Sequence, residues 1–424
     1  MKPSLDALRE EARTLDRADP LARFRDEFVL DEEGPLYLDG NSLGRLPKRA
    51  AALVERTVRA EWGSRLVRSW NEGWVDAPRR VGDKLAHVLG ALPGEVTVSD
   101  ATSVNLFKLA VAALRARPGR RTIVTDALNF PSDLYVLGGA ADLLGAGRRV
   151  VVVPARDGLT VDAADLDAAI TEDTALVSLS HVAYKSGFLH DMEAVTARAH
   201  AAGALVLWDV SHSAGAVPVE LEASGADLAV GCTYKYLNGG PGAPAFLYVR
   251  RSLQRALENP IHGWFSRHEP FSFHESYEPA GDLSRFLVGT PPILSLAAAE
   301  AGVDLALEAG IRPARAKSVA QGEFLVRLWE ALLEPRGVAL RSPREASRRG
   351  SHVSLGHPEG LAIDRALIEE MDVVPDFRPP DVIRFGFAPL YTRFEDLYEA
   401  ADRFRRVLDE ESWRLYAGAR PAVV

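Results

Sequence analysis

Between about residues 95 and 250 short β-rich runs alternate with helical stretches, and that alternation leaves one class of fold. The runs are Arg121 to Thr125, Arg149 to Pro154, Ala175 to Ser180, Ala204 to Asp209, Asp227 to Gly231 and Ala245 to Arg250, with helical patterns such as Val104 to Ala116 and Asp191 to Ala202 between them. Strands joined through helices are expected to form a mostly parallel sheet covered on both faces, an α/β fold that binds ligands at the carboxyl ends of its strands. The 424 residues fit one large domain plus a smaller one. We expect a large domain over 51–295 and a smaller α+β domain formed by 1–50 with 296–424. The smaller one begins with a long helical stretch from Ser295 through Glu334. A strand near His352, a Pro-rich connection from Val374 to Pro380 and helices after Phe394 follow. The polar N-terminal helix either joins that domain or forms a mobile arm.

Two of the strands end in residues that carry chemistry. The run from Asp227 ends in Tyr234-Lys235 and a glycine-rich turn, in a chain with seven lysines against 43 arginines. A lysine at a strand exit is either a surface group or an amine kept for a Schiff base with pyridoxal phosphate. The run Ala204 to Asp209 places a carboxylate at the end of a second strand, suited to a charge-assisted hydrogen bond with the protonated pyridine nitrogen. Lysine and aspartate on two strand ends favour the cofactor reading.

Other segments supply the remaining needs of such a cofactor. Thr102 and Ser103 open an amphipathic helix, where free amides and the helix dipole favour a phosphate, although hydroxyls there also serve as plain N-caps. Phe130 and Asp133 share one loop; the ring can stack on the cofactor and the carboxylate can bond its polar edge, or they can be core packing and a helix cap. His212 and Tyr234 extend the polar network, with a satisfied core histidine as the alternative for His212. Arg384 is a lone charge on an alternating strand pattern and is read as a bidentate grip on an amino-acid carboxylate or as a surface ion pair.

Taken together the motifs closely resemble kynureninase of the bacterial type, a pyridoxal phosphate family with the aspartate-aminotransferase fold (fold type I). The resemblance runs from Tyr37-Leu-Asp-Gly-Asn-Ser-Leu-Gly44 through Ser69-Trp-Asn71, Asn129-Phe-Pro-Ser-Asp133 and Trp208-Asp-Val-Ser-His-Ser-Ala-Gly-Ala-Val-Pro218. It continues through Gly231-Cys-Thr-Tyr-Lys-Tyr-Leu-Asn-Gly-Gly-Pro241, Gly263-Trp-Phe265, Gly289-Thr290 and Arg384-Phe-Gly-Phe387. It implies hydrolysis of L-kynurenine to anthranilate and L-alanine, with Lys235 carrying the cofactor and Asp209 bonding its ring nitrogen. It further implies that Ala101, Thr102, Asp133, Ser180, His212 and Tyr234 line the cofactor, with Phe130 stacked on the ring. Ala101 replaces a threonine frequent in bacterial relatives and would serve through its backbone N–H. Trp264 and Thr290 match positions that reach the neighbouring subunit's site in a homodimer with shared active sites. Ser42, Trp70 and Arg384 match positions at the substrate, and Tyr234 is the candidate proton donor.

Composition trims the alternatives. One cysteine, Cys232, excludes a disulfide framework and a thiolate metal cluster, and its place in the strand suits a packed small hydrophobe. A desulfurase needs a nucleophilic cysteine on a mobile loop, so that activity is not expected. An aminotransferase, a kynureninase preferring 3-hydroxykynurenine and a cofactor-less binding protein remain as competing readings. A net charge of −9 argues against nucleic-acid binding, and the basic run Arg341 to Arg349 is read as a solvated loop. No apolar stretch approaches a membrane span and the start lacks a signal-peptide pattern, so the cytoplasm is expected.

Overall fold

A computed structural model describes residues 3–31 and 34–418. The chain opens with α1 (Leu5–Arg17), β1 (Leu36–Tyr37), α2 (Lys48–Arg56) and α3 (Ala77–Leu89). A seven-stranded sheet follows, built from β2 (Val96–Val98), β3 (Thr122–Asp126), β4 (Arg149–Val153), β5 (Thr174–Ser180), β6 (Leu205–Asp209), β7 (Leu228–Gly231) and β8 (Phe246–Val249). Its order is β2-β8-β7-β6-β5-β3-β4, and only β8 runs against the rest. The crossovers use α4 (Thr102–Arg115), α5 (Pro131–Leu144), α6 (Ala163–Ala169) and α7 (Met192–Ala201). All six expected strands are present to within a residue at each end. The three-residue β2 was not among them, being too short to show a pattern of its own.

The period-2 alternation of strand side chains explains why this sheet is covered on both faces. Val124, Val177, Val206 and Trp208 pack to one side with Val81, Leu85 and Leu89 of α3. Their neighbours Ile123, Leu176, Leu205 and Leu207 pack to the other with Leu106 and Leu109 of α4. From β3 the chain moves outward to β4 and then returns to β5 on the opposite side of β3. The connections therefore diverge at the carboxyl ends of β3 and β5, where open sheets take their ligands.

The C-terminal part contains α8 (Ile293–Ala309), α9 (Ile311–Leu328), β9 (Ala339–Leu340), β10 (Val353–Gly356), α10 (Gly360–Met371), β11 (Val373–Val374), β12 (Asp376–Arg378), β13 (Val382–Phe385) and α11 (Phe394–Asp409). An antiparallel sheet of order β12-β13-β10-β9 shares a core with α9, α10 and α11, while β11 pairs in parallel with β1.

Four expectations need correction here. The helical stretch from Ser295 is not continuous: Gly310 adopts φ +77°, which a residue with a Cβ rarely takes, and divides it into α8 and α9. The Pro-rich connection takes in the end of β11 and all of β12, because Asp376 to Arg378, between Pro375 and Pro379-Pro380, pairs with β13. The N-terminal helix is docked and not an arm. Leu8 and Ala12 are buried in the core of the small sheet, and the Asp19 carboxylate meets Lys317 at 2.7 Å with both side chains buried. Finally, Arg349 is not solvated: it is 2% exposed and donates to Pro343 O, Arg344 O and Glu323.

Candidate active site

Loops leaving β3, β5, β6 and β7 meet the starts of α4 and α5 around a cavity of about 230 Å³. Lys235 lies beyond β7, and its Nζ is 2.9 Å from His212 Nε2. Burial, and then the Lys235 charge, hold the His212 imidazole well below its ordinary pKa, so it is neutral and accepts from the lysine. Asp209 ends β6 directly beside Ser180 of β5, and its Oδ1 accepts from the Ser211 N–H at 2.7 Å. Facing it is Asp133 in the first turn of α5, 3% exposed, with Oδ2 lacking a hydrogen-bond partner. Burial, and then the Asp209 charge, raise the Asp133 carboxyl well above the usual range; two carboxylates this close cannot both ionise unaided.

The opposite end of this half is made of helix starts. Neither α4, with Ala101 at its N-cap, nor α5, with Phe130 there, has a side-chain cap; the first-turn amides of α4 are left for an anion, whereas α5 begins with Pro131, which has no N–H, and its Asp133 N–H donates to Phe130 O at 2.9 Å. Ser103 and Ser132 hydroxyls, 2.9 Å apart, join the two starts. Asp100, just before Ala101, has φ +52°. It is fixed by fully buried Lys108, whose Nζ lies 2.7 Å from Asp100 Oδ2 and 2.7 Å from Phe286 O. Phe130 stands at the mouth, 44% exposed, edge-on to Tyr184 at 5.2 Å. Tyr234 lines the wall beside Lys235; neighbouring Cys232, and then burial, push its hydroxyl above the phenol range, so it keeps its proton.

A second half comes from both ends of the chain. Arg384 on β13 is 1% exposed and pairs with buried Asp376 on β12, Nε to Oδ1 at 2.5 Å and Nη2 to Oδ2. It also donates to Tyr184 O at 2.5 Å and to Ser42 Oγ at 3.1 Å. The sequence reading of Arg384 as a lone charge is therefore corrected: Asp376 is its partner, hidden in what was taken for a connection. Burial opposes the Arg384 charge, but Asp376 outweighs it and the net shift is upward. Arg378 shares Asp376 and also lines the cavity. Asn41 is fully buried there with neither amide atom partnered, and it lies so close to Gly386 that a Cβ on that residue would fall 1.6 Å from Asn41 Oδ1. Gly386 is thus required by close approach.

Ten of the residues singled out from sequence line this one cavity: Ser42, Thr102, Phe130, Asp133, Ser180, Asp209, His212, Tyr234, Lys235 and Arg384. Ala101 adjoins it as the N-cap of α4. Trp70, Trp264 and Thr290 do not line it. Trp70 packs on Trp74 and Phe265 at 5.4 and 6.2 Å, Trp264 packs on Phe265 at 4.8 Å, and Thr290 is exposed. Ser103, read with Thr102 as a helix-opening hydroxyl, also lines the cavity, while sequence reasoning missed Asn41, Ser132, Tyr184, Ser211 and Arg378. Three of these, Asn41, Ser132 and Ser211, adjoin residues that were named, so reading whole motifs would have found them; Tyr184 and Arg378 carried no such signal. A larger hollow of about 900 Å³ beside α6 and α7 holds no lysine, and its His190 is already bonded to Asp126 at 2.9 Å.

The donors fit pyridoxal phosphate. A primary amine stands across from a buried carboxyl pair with one open oxygen, which a ring N–H⁺ would satisfy, and the uncapped start of α4 suits the phosphate. The comparisons agree. The Kynureninase C-terminal domain family matches residues 314–404, and the DegT/DnrJ/EryC1/StrS aminotransferase family matches 67–226. The chain is 46% identical over 421 residues to a kynureninase of Burkholderia pseudomallei (strain 1106a), covering 98% of this chain and 99% of that one. It is 46% identical over 410 residues to a kynureninase of Pseudomonas fluorescens, covering 96% of each. Among solved structures, the apo cysteine desulfurase from Thermococcus onnurineus NA1 superposes with a TM-score of 0.78 at 20% identity, covering 92% of this chain and 98% of that one. A C-DES variant with glycine covalently linked to its PLP cofactor gives 0.75 at 19%, covering 88% and 97%. At these identities the structural neighbours speak for the fold.

Proposed function

The chain belongs to the kynureninase family, and we propose that its side chains divide the hydrolysis of L-kynurenine to anthranilate and L-alanine as follows. Bound at this site, pyridoxal phosphate supplies the electron sink that makes an amino-acid α carbon acidic and the bond from the β carbon to the γ carbonyl cleavable. Lys235 would hold the cofactor through its Nζ, and that amine, once free, would be the base for the substrate's α proton. Neutral His212 at 2.9 Å is placed to orient that amine. Asp209, with Asp133 beside it, would hold the ring nitrogen in its protonated form. The uncapped start of α4, with Thr102 and the Ala101 backbone, would take the phosphate; Ser180 lies beside Asp209, and Phe130 would cover the ring. Tyr234 keeps a proton for the departing carbon framework. Water supplies hydroxyl to the aryl acyl carbon and hydrogen to the β carbon, which balances the two products.

The observation that carries this reading is Lys235 and the Asp133–Asp209 pair in one cavity at adjacent strand ends. Buried Cys232, with its sulfur 4.0 Å from Ser211 O, speaks against the desulfurase chemistry of the structural neighbours. The test is to supply L-kynurenine, 3-hydroxykynurenine, and an amino donor with pyruvate in separate reactions. Anthranilate and alanine in equal amounts are expected from the first. Transamination to pyruvate without aryl acid release would replace the reading with an aminotransferase.

The working unit we propose is a cytoplasmic homodimer with shared sites; no helix among the described residues is long and apolar enough to cross a membrane. Support comes from exposed apolar side chains outside the single-chain cavity: Trp264, Phe271 and Phe273 in one cluster, and Trp62, Leu66 and Val67 along the stretch leading to Trp70. Exposed apolar surface on this scale marks an interaction face. A Cβ on Gly263 would sit 1.9 Å from Val288 O, so the segments bearing Trp264 and Thr290 are packed as one unit. Mixing inactive Lys235→Ala chains with inactive Trp264→Ala chains should restore about a quarter of wild-type activity, if chains pair at random and one heterodimer site is intact (a statistical estimate for two-chain assembly). No recovery despite demonstrated exchange rejects shared sites.

Trp70 belongs to the same aromatic patch through Phe265, so it is proposed to act, with Thr290, at the substrate ring of the assembled site. An indole stacks on a plain aniline but gives a ring hydroxyl little to bond. We expect kcat/KM for kynurenine to exceed that for 3-hydroxykynurenine by ~10-fold or more. Equal values would remove both residues from specificity. The division into 51–295 and the two flanking segments is likewise our reading of where the two sheets part.

A further inference from the structure

His352, one residue ahead of β10, is fully buried, and among the described residues neither of its ring nitrogens has a hydrogen-bond partner. Its ring centroid lies 5.8 Å from that of His212, with the planes inclined at 56°. His212 has a matching deficit: its Nε2 meets the Lys235 amine at 2.9 Å, while its Nδ1 is buried and unpartnered. The polar groups that precede His352 in the chain are already engaged. Ser351 Oγ donates to Phe387 O and Ser351 O accepts from the Tyr236 hydroxyl at 3.1 Å, while Arg349 donates to Pro343 O, Arg344 O and Glu323. On one edge of the ring Gly187, at φ +75°, comes so near that a Cβ there would fall 3.3 Å from His352 Nε2.

Neither ring resolves its deficit by taking up charge. Burial, and then Arg384 and Lys235, hold His352 well below its ordinary pKa, and burial and then Lys235 do the same to His212. Both imidazoles are therefore neutral, each with one N–H and one bare nitrogen. A buried donor or acceptor without a hydrogen bond is costly, and an apolar side chain ahead of β10 would carry no such cost. An imidazole in that place argues for a polar partner, and the unpartnered side chain in ring contact with it is His212.

We propose that one ordered water joins His212 Nδ1 to a ring nitrogen of His352, and that His352 is thereby a positioning residue for His212. The two rings make no direct hydrogen bond, whereas a water with two bonds of ~2.8 Å spans up to ~5.6 Å between nitrogens, which the ring separation allows. A water both donates and accepts. The same bridge therefore holds the imidazole with Nδ1 as donor, when Nε2 accepts from the lysine, and with Nδ1 as acceptor, when Nε2 turns donor. This deepens the kynureninase reading, on which it rests: the ring that meets Lys235 keeps its place after the amine has moved away from it.

The test uses the holoenzyme as wild type, His352→Phe and His352→Gln. Crystals that resolve ordered waters should show one water at ~2.7–3.2 Å from both His212 Nδ1 and a His352 nitrogen. In His352→Phe the space is filled without a polar atom. That variant should lose the water, leave His212 in more than one rotamer and shift the visible band of the bound cofactor. With L-kynurenine its kcat should fall ~10-fold with KM within about twofold, the loss of one positioning hydrogen bond. His352→Gln keeps an amide that can donate or accept, so it should retain the band and a kcat within about threefold of wild type. A wild-type His212 Nδ1 with no water on it overturns the assignment. So does a His352→Phe enzyme that is less stable but has the wild-type band and kcat, or a His352→Gln enzyme no better than His352→Phe. Should His352→Phe fail to fold, the wild-type water and the His352→Gln enzyme still decide. The crystals and the band need no substrate, so a water bridge in a chain that leaves kynurenine intact would sink the functional reading and spare this one.

Discussion

Replacing Lys235 by alanine is expected to lower kcat/KM by on the order of 10⁴-fold or more while leaving the fold intact. The lysine is asked to do two things, to hold the cofactor and to move the α proton, and among the described residues no other lysine lines the cavity. Lys108 is fully buried at 2.7 Å from both Asp100 and Phe286 O, and Lys185 is turned to Pro379 O at 2.5 Å. The fold should survive because the Lys235 side chain makes one polar contact, to His212. Borohydride reduction and peptide mapping of the wild type should place the pyridoxyl group on Lys235. A label on Lys185, or more than about a hundredth of the activity in the variant, rejects the role (the lower end of general-base effects).

The second large effect belongs to Asp209. Asparagine there keeps the shape but removes the charge that favours a protonated ring nitrogen. Breaking one side of a buried, hydrogen-bonded charge pair costs about 3–5 kcal/mol, and spent on the transition state this is roughly 10²–10⁴-fold in kcat. Asp133→Asn should be milder, about tenfold, because that carboxyl already keeps its proton in the chain as it stands. The sign can be checked through it. With Asp209→Asn the repulsion that lifts Asp133 disappears, so Asp133 should ionise at lower pH and partly replace the lost charge. Kinetics of the single and double variants decide this. If the double variant is no worse than Asp209→Asn alone, Asp133 has no such role.

How far the sequence reached depended on whether a residue's neighbours in space are also neighbours in the chain. Lys235, Asp209 and Asp133 were readable because each closes a short apolar strand or follows one, and the parallel sheet brings such ends together whatever the details. Asp376 was not, since a three-residue strand ahead of two prolines has no period to detect. Missing it turned a clamped ion pair into an apparently solitary Arg384. Asn41 is a similar case: its environment is set by Gly386, 345 positions away in the chain, and no local pattern records such an approach. Gly310 misled in the opposite direction, because alanine and leucine on both sides make a strong helical pattern that one left-handed residue interrupts.

The two halves of the cavity also differ in when they come into being. Every residue of the cofactor half lies between Ala101 and Lys235, whereas Arg378 and Arg384 lie some 140 positions further on. At a synthesis rate of ~5–20 residues per second, that interval is roughly 7–30 s. The sheet that aligns the cofactor half is completed only by β8, which lies between β2 and β7, so the residues for the cofactor are synthesised well before the arginines that complete the cavity.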